Sequence, residues 1–487
     1  MNFIKSFKFL VIFFVLLSFF LYILFSLSLG NNSLQFIKQL IPETIKTQLK
    51  NTVFFLPHII KENKSLKLNQ KNHNILKDLF VLNKIHKLEF ISEDNIFYTE
   101  KKINFKIRKW VLPFWSYDTN NGKSVAYIDN IDDGILLVTG NGKFISFSNK
   151  NIKDNEPLKP KVINSNIKEL IKDSYFYTDQ KHAWISVKDL LVSNSHIYIS
   201  YTKAKFDRKC YNTEILSGKI RDNYIKFEPF FSYENCNYLD NQYSSESNIA
   251  FNAHQSGGRI IDYKDNFLLF SIGDFRKRED AQNMDSNLGK ILMINKKTRK
   301  SSIFSLGHRN PQGLIYLKNK DIIISTEHGP LGGDEINKII ETKNYGWPIS
   351  SYGEHYGYKT DTGIKNSGII ENNIYTFYPL HKSHKDYGFE EPIHYFIPSI
   401  GISELIEIPE QFSKDLSGNV FITSLSGKGN GLSIFDVRFN SSFDKIDEIN
   451  KIKIGERIRD IVYSDSSNSF FLVLENSPAI AELKIIK

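Results

Sequence analysis

Gly307-His308-Arg309-Asn310-Pro311-Gln312-Gly313 and Glu327-His328-Gly329-Pro330-Leu331-Gly332-Gly333-Asp334-Glu335-Ile336-Asn337 are the densest pieces of a stretch running from Ala253 to Tyr356. Both are crowded with glycine, proline, charge and amide, and each adjoins an apolar run that reads as a strand. Loops at strand ends carry binding groups because the sheet beneath holds them in place. Taken alone, Gly332 to Glu335 also reads as a tight turn with a capping carboxylate, and Asn344 to Pro348 as a turn that buries Trp347.

Outward from this stretch the texture is β. Gly134 to Val138 and Lys143 to Phe147 flank Gly140-Asn141-Gly142, a hairpin signal because these turn residues tolerate positive φ. Similar short runs follow at His196 to Tyr201, Phe267 to Ile272, Ile291 to Ile294, Ile322 to Ser325, Val420 to Thr423, Leu432 to Phe435 and Phe470 to Leu474. No long amphipathic helix interrupts them, which disfavours an α/β fold. Many short strands from residue 96 to 487 predict an all-β propeller or large sandwich, and six blades would average about 65 residues each. No WD-type repeat sets the blade number.

The N-terminus differs. Lys5 and Lys8 precede an apolar run from Phe9 to Leu29, interrupted only by hydroxyl residues. About 20 such residues suffice to cross a bilayer as a helix. Residues 1–30 therefore read as one transmembrane anchor, and the lysines place its start in the cytoplasm and the rest of the chain in the periplasm or outside the cell. A cleaved signal peptide is the competing reading, although no A-x-A-like site follows the run. Residues 31–95 read as a partly helical stalk, with Leu34, Phe36, Ile37, Leu40 and Ile41 at helical spacing before Pro42. A disordered stalk is the alternative.

Composition narrows the function. The chain has 487 residues, 41% hydrophobic, enough for a large core. Its net charge of +9 is dispersed rather than gathered into the stripe that nucleic-acid binding requires, so no nucleic-acid partner is expected. Cys210 and Cys236 flank a hairpin-like segment and form a disulfide if the region is exported; two unpaired thiols is the other reading. Zinc-type spacings, P-loops, G-x-S-x-G elbows and H-E-x-x-H motifs do not occur.

The motif set resembles the glucose/sorbosone dehydrogenase family. It comprises Ser256-Gly257-Gly258-Arg259-Ile260, Ser271-Ile272-Gly273-Asp274, Ala281-Gln282 and Leu288-Gly289-Lys290-Ile291-Leu292, then the two opening pieces and Asn344-Tyr345-Gly346-Trp347-Pro348. The resemblance is dense over about a hundred residues and implies a six-bladed β-propeller that oxidises aldose sugars with pyrroloquinoline quinone (PQQ) and calcium. By resemblance, the Gly329 and Pro330 carbonyls hold Ca²⁺, a hard cation suited to oxygen ligands. The resemblance likewise implies that Arg309 and Asn310 contact the quinone and that Arg457 and Arg459 clamp it; one residue apart, these two would face the same side of a strand. Asp274 matches the carboxylate that, in the family, orients the catalytic histidine of the pattern His-x-Gly-Gly.

At that histidine's place stands Gln255, with His254 one residue earlier. A glutamine amide does not titrate near neutral pH and cannot act as general base. Neighbours on an extended backbone point to opposite faces, so His254 serves only if a bulge turns it inward. Gln180 is the candidate for the family's early glutamine; its cofactor lysine falls on Ser426, with Lys428 two residues on. The resemblance thus implies hydride transfer from a sugar hydroxyl to the quinone, with onward electron transfer to a quinone or cytochrome. The alternative is a non-catalytic propeller binding calcium, carbohydrate or protein.

Overall fold

The computed structural model describes residues 88–112, 125–132, 134–148, 156–171, 186–205, 210–233, 237–238, 255–354, 358–360, 363–365, 378–426 and 431–486. The chain divides into two compact units, Met1–Leu82 and Asn83–Lys487, and every described residue belongs to the second.

Short apolar runs punctuated by turn formers become antiparallel meanders. Asn194 and Ser195, with φ of 48° and 62°, and Asp222 and Asn223, with φ of 50° and 64°, close two-residue hairpins. Positive φ at both turn residues gives the twist that adjoining strands need. Among the described residues most of the strands group into six four-stranded units. Blade 1 is Ala126–Ile131, Gly134–Thr139, Phe144–Ser148 and Lys161–Ser165, and blade 2 is Val187–Ser193, His196–Lys205, Cys210–Arg221 and Tyr224–Phe231. Blade 3 is Gly257–Tyr263, Phe267–Ile272, Lys290–Asn295 and Ser301–Leu306; blade 4 is Pro311–Leu317, Ile322–Glu327, Asp334–Ile339 and His394–Phe396. Blade 5 is Ile402–Glu407, Val420–Ser424, Ser433–Phe439 and Ile446–Lys453. Blade 6 joins Ile458–Ser464, Ser469–Leu474 and Ala479–Ile486 to Ile103–Val111, with Phe90–Tyr98 added outside.

The first strands of the blades pack side by side in a closed ring, so the β body is a six-bladed propeller. Closure depends on Ile103–Val111 pairing with Ala479–Ile486 from Asn104↔Ile486 to Val111↔Ala479, which ties the start of the β body to its end. Apolar residues fill the spaces between blades: Leu136, Phe144, Ile199, Phe227 and Phe270 belong to one buried cluster, and Phe412, Phe421, Phe470 and Leu472 to another.

One boundary moves. The strand Phe90–Tyr98 begins inside the segment read as stalk, because Phe90 to Tyr98 find partners on Ile103–Val111 that local periodicity does not reveal. The anchor over residues 1–30 and the stalk up to residue 87 lie outside the described residues. Among those described, no helix is long and apolar enough to cross a membrane. Cys210 opens a strand of blade 2, and Cys236 lies outside the described residues.

Five of the six first strands carry a register shift near their start: at Val187/Asp189, Gly257/Ile260, Pro311/Gly313, Ile402/Leu405 and Ile458/Asp460. Each bulge leaves residues without ladder partners and re-aims side chains. Gly258 permits one of them: its φ is +121°, and a Cβ there would lie 2.3 Å from Lys188 Cβ.

From these bulged strands four charged groups meet in the interior. Arg259 Nη1 lies 2.6 Å from Asp189 Oδ1 and 3.2 Å from Asp460 Oδ1, and its Nη2 pairs with Glu404. Asp189 also accepts the Ile260 N–H at 2.6 Å, and Asp460 that of Ile128 at 2.8 Å. One guanidinium thus ties blades 2, 3, 5 and 6, and Asp460 reaches blade 1. Burial pushes the Asp189 carboxyl up to about 7 and that of Glu404 up to about 8, against the pull of Arg259. Raised carboxyl pKa values mean that the folded state holds protons the unfolded chain has released, so stability falls as pH rises from about 4 to about 8. The thermal midpoint is therefore expected to drop between about pH 6 and about pH 9, and Glu404→Gln, which removes one of these protons, to flatten that drop; a midpoint rising over this range contradicts the assignment.

Candidate functional site

The loop after Phe267–Ile272 and the loop after Ser301–Leu306 are stitched together at one end of blades 3 and 4. Asp274 N donates to the Arg309 carbonyl at 2.8 Å, and Phe275 N to that of Gln255 at 3.0 Å. Asp274 is fully buried; its Oδ2 accepts from Trp347 Nε1 and its Oδ1 from the Arg276 N–H, both at 2.8 Å. Burial pushes its carboxyl above the usual range, opposed first by Arg309. Gln255 is also buried, and with its amide oriented to suit its neighbours it donates to Asp274 Oδ1 at 3.1 Å. Its oxygen then accepts from Arg276 Nε and Arg309 Nη2, each at 3.2 Å. A neutral amide therefore sits between a carboxyl and two guanidiniums, and it satisfies all three without moving a proton.

Glu327 holds the second loop from behind. One carboxylate oxygen accepts the backbone N–H of Arg309 and, at 3.2 Å, that of Asn310; the other meets His308 Nδ1 at 3.0 Å. His308 is buried, its Nε2 is 2.8 Å from Ser305 Oγ, and its ring stacks on Tyr345 at 4.7 Å. This is the hydrogen-bonding loop role expected of a histidine without metal-ligand spacing. Arg309 then reaches outward: Nη1 donates to the His328 carbonyl at 2.8 Å and to that of Gly329 at 2.7 Å, and Trp347 lies 5.3 Å away under the guanidinium. Its Nε is buried and has no hydrogen-bond partner among the described residues.

Arg457 and Arg459 converge on Glu475, with Nε–Oε distances of 2.7 and 2.6 Å. Although burial alone would raise it, the two guanidiniums hold the Glu475 carboxyl below the usual carboxylate range. Gln312 links this pair to the first loops. Its Oε1 accepts from Arg459 Nη1 at 3.2 Å and its Nε2 donates at 3.0 Å to Asn310 Oδ1, which also accepts the Gly257 N–H at 3.1 Å. His328 is 3.8 Å from Asp334, yet burial pushes its imidazole down to about 4, aided by Arg309, Arg459 and Arg457. It is neutral at pH 7, and the positive charge of the site comes from guanidiniums.

The structure thus joins Gln255, Asp274, Arg309, Asn310 and Gly329 in one set of contacts, and Arg457 and Arg459 in another, with Gln312 between. Pro330 is buried beside Gly329, while Gln180, His254 and Lys428 lie outside the described residues. Gln312, Glu327, Trp347 and Glu475 are the parts that sequence reading left without a role. Gln312 and Glu327 lie within the two opening motif pieces and Trp347 was read as the aromatic buried by its turn; Glu475 alone carried no signal.

PQQ is a flat tricarboxylate, and arginines in excess of their acids, one with a partnerless buried Nε, match it. A calcium ion at the Gly329 carbonyl meets Arg309 Nη1 already there, so it fits only if that N–H withdraws.

Residues 185–482, more than half of the chain, match the family described as Glucose / Sorbosone dehydrogenase. The chain belongs to that family. Among curated relatives, the aldose sugar dehydrogenase YliI of Escherichia coli is 26% identical over 58% of this chain, and the quinoprotein glucose dehydrogenase B of Acinetobacter calcoaceticus is 31% identical over 23% of it. The chain spans 55%, 71% and 28% of the lengths of the curated relatives it matches. The apo-form crystal structure of the soluble aldose sugar dehydrogenase from Escherichia coli superposes with a TM-score of 0.55 at 20% identity, covering 78% of this chain and 99% of that one. This last likeness concerns the fold.

Glu475 is the shared counter-charge of Arg457 and Arg459. Glu475→Gln leaves two guanidiniums without their buried counter-charge and is expected to cost about 3 kcal/mol of stability in urea denaturation. A loss within error would mean that the arginines are held by other contacts.

Proposed function

We propose that the protein is a quinoprotein sugar dehydrogenase, binding PQQ between Arg309 and the Arg457/Arg459 pair and oxidising an aldose. The observation that carries the reading is the sharing of one carboxylate, Glu475, by two guanidiniums, with Arg309 in the neighbouring set. This leaves positive charge for a polyanionic cofactor. Family membership and the printed names of the relatives support the reaction class.

Bound PQQ supplies a carbonyl that accepts hydride. The chain's own residues do the rest. Arg309, Arg457 and Arg459 neutralise carboxylates, Asn310 and Gln312 fix the register between the two arginine sets, and Trp347 closes the floor beneath Arg309. Calcium at the Gly329 and Pro330 carbonyls belongs to the proposal and competes with Arg309 for Gly329. In the same reading, the apolar run Phe9 to Leu29 anchors the propeller at the periplasmic or outer side of a membrane, from which electrons pass to a quinone or cytochrome.

Gln255 favours a second reading. Its amide fills the base's place and is satisfied by Asp274, Arg276 and Arg309, so nothing at that position accepts a hydroxyl proton. A ligand-binding propeller without turnover meets this observation directly.

Titration of the full chain in detergent with PQQ, with and without calcium, together with aldose-dependent dye reduction, separates the two. The first reading expects saturable micromolar binding, weakened roughly tenfold or more by Arg457→Gln or Arg459→Gln, and measurable wild-type turnover. The second expects no wild-type turnover. If the quinone binds without turnover, Gln255→His is expected to bring activity that rises with pH as the imidazole loses its proton. No binding at micromolar PQQ would falsify the dehydrogenase reading.

A further inference from the structure

We propose that a cleft between blades 2 and 3, at the end of the propeller away from the candidate site, binds an anionic oligosaccharide, a sugar chain bearing carboxylates. The placement follows from register. In blade 3 the candidate site lies where Ile272 faces Lys290 and where Asp274 and Arg309 follow their strands. The cleft borders the other end, where Phe267 faces Asn295 and residues 296–300 turn the chain.

The cavity measures about 550 Å³ and adjoins a second of about 570 Å³ through the shared residues Phe230 and Arg299. Each volume is in the range that takes a small-molecule ligand, and the shared lining lets one ligand reach from one to the other. The charge of its wall is one-sided. Lys226 stands directly across the hairpin from Lys219, and Tyr224 from Arg221. Like charges placed opposite one another on a sheet repel, and a bound anion relieves that. All three cations are exposed and have no ion-pair or hydrogen-bond partner among the described residues. The neighbouring Arg299 is already matched, bonded to Glu228 at 2.5 Å and to the Pro229 carbonyl at 2.9 Å, and Lys296 is paired with Asp262 at 2.6 Å. The surplus therefore lies on Lys219, Arg221 and Lys226, with exposed Lys300 in the adjoining cavity.

Aromatic faces decide the class of anion. Tyr224 is 40% exposed beside Arg221, and Arg299 lies 5.6 Å over Phe230, which itself packs edge-on against Tyr198 at 5.1 Å. A flat amphipathic ring next to unpaired cations suits a ligand with an apolar ring face and carboxylate substituents. A bare phosphate chain has the charge without the face.

The test is calorimetric titration of the full chain in detergent, at low salt because exposed charges are screened. Oligogalacturonate is expected to bind, with Lys219→Glu/Lys226→Glu lowering its affinity roughly tenfold and Tyr224→Ala lowering it while polyphosphate binding is unchanged. These positions are exposed, so the variants' thermal midpoints serve as the check on folding. Equal affinity for neutral cellohexaose, equal affinity for polyphosphate of matched charge, no oligogalacturonate binding, or binding indifferent to the double charge reversal in a folded variant would each overturn the proposal.

Discussion

Arg259 is the point on which the propeller depends. A ring of sheets is held by its inner strands, and blades of unlike sequence need something besides apolar packing to set their mutual register. Here one guanidinium meets Asp189, Glu404 and Asp460 from three other blades, and the carboxylates also take backbone N–H groups of the strands beside them. The cost is a surplus of buried carboxylates around a single cation. Raised carboxyl pKa values relieve it, because a protonated carboxyl keeps its hydrogen bonds while shedding its charge. The assembly is therefore held by a polar knot whose charge depends on pH.

The device that builds this knot also builds the candidate site. Bulges at the starts of the first strands leave Gln312, Arg459, the Gly258–Arg259 pair and the Ser403–Glu404 pair outside the regular ladder. Arg259 and Glu404 turn to one another, whereas Arg459 and Gln312 face the loops that carry Asn310 and Arg309. Structure and site are thus two outputs of the same irregularity. Behind them Glu327 and Glu475 hold the working groups without occupying the working space: one fixes the Arg309 backbone, the other fixes two guanidiniums side by side.

Gln255 fits into this network through both ends of its amide. The amide offers one donor to Asp274 and one acceptor shared by two arginines. A histidine there would carry out proton exchange at the expense of one of those bonds. The Gln255 amide thus has its polar atoms satisfied without a titratable group, next to the Arg309 guanidinium.

How far the residues alone reached follows from the range of the forces involved. Period-two alternation and glycine or asparagine turns are local, so Phe267 to Ile272 and the hairpin from Gly134 to Phe147 were legible as strands, and the spacing of many short strands pointed to a propeller or a large sandwich. The family motifs likewise marked Arg309, Asn310, Asp274 and the Arg457/Arg459 pair. What stayed hidden was every pairing between distant elements. Phe90 to Asn95 looked like stalk until their partners on Ile103–Val111 were known. Glu475 becomes the arginines' counter-charge only because Ile458 pairs with Leu474. Arg259 lies in a motif that names the fold, yet its three acids are spread from residue 189 to residue 460. Local sequence determined the strands, their turns and the identity of the charged groups; only the closed ring decided which charges share a buried space, because burial, not residue type, sets what each pairing is worth.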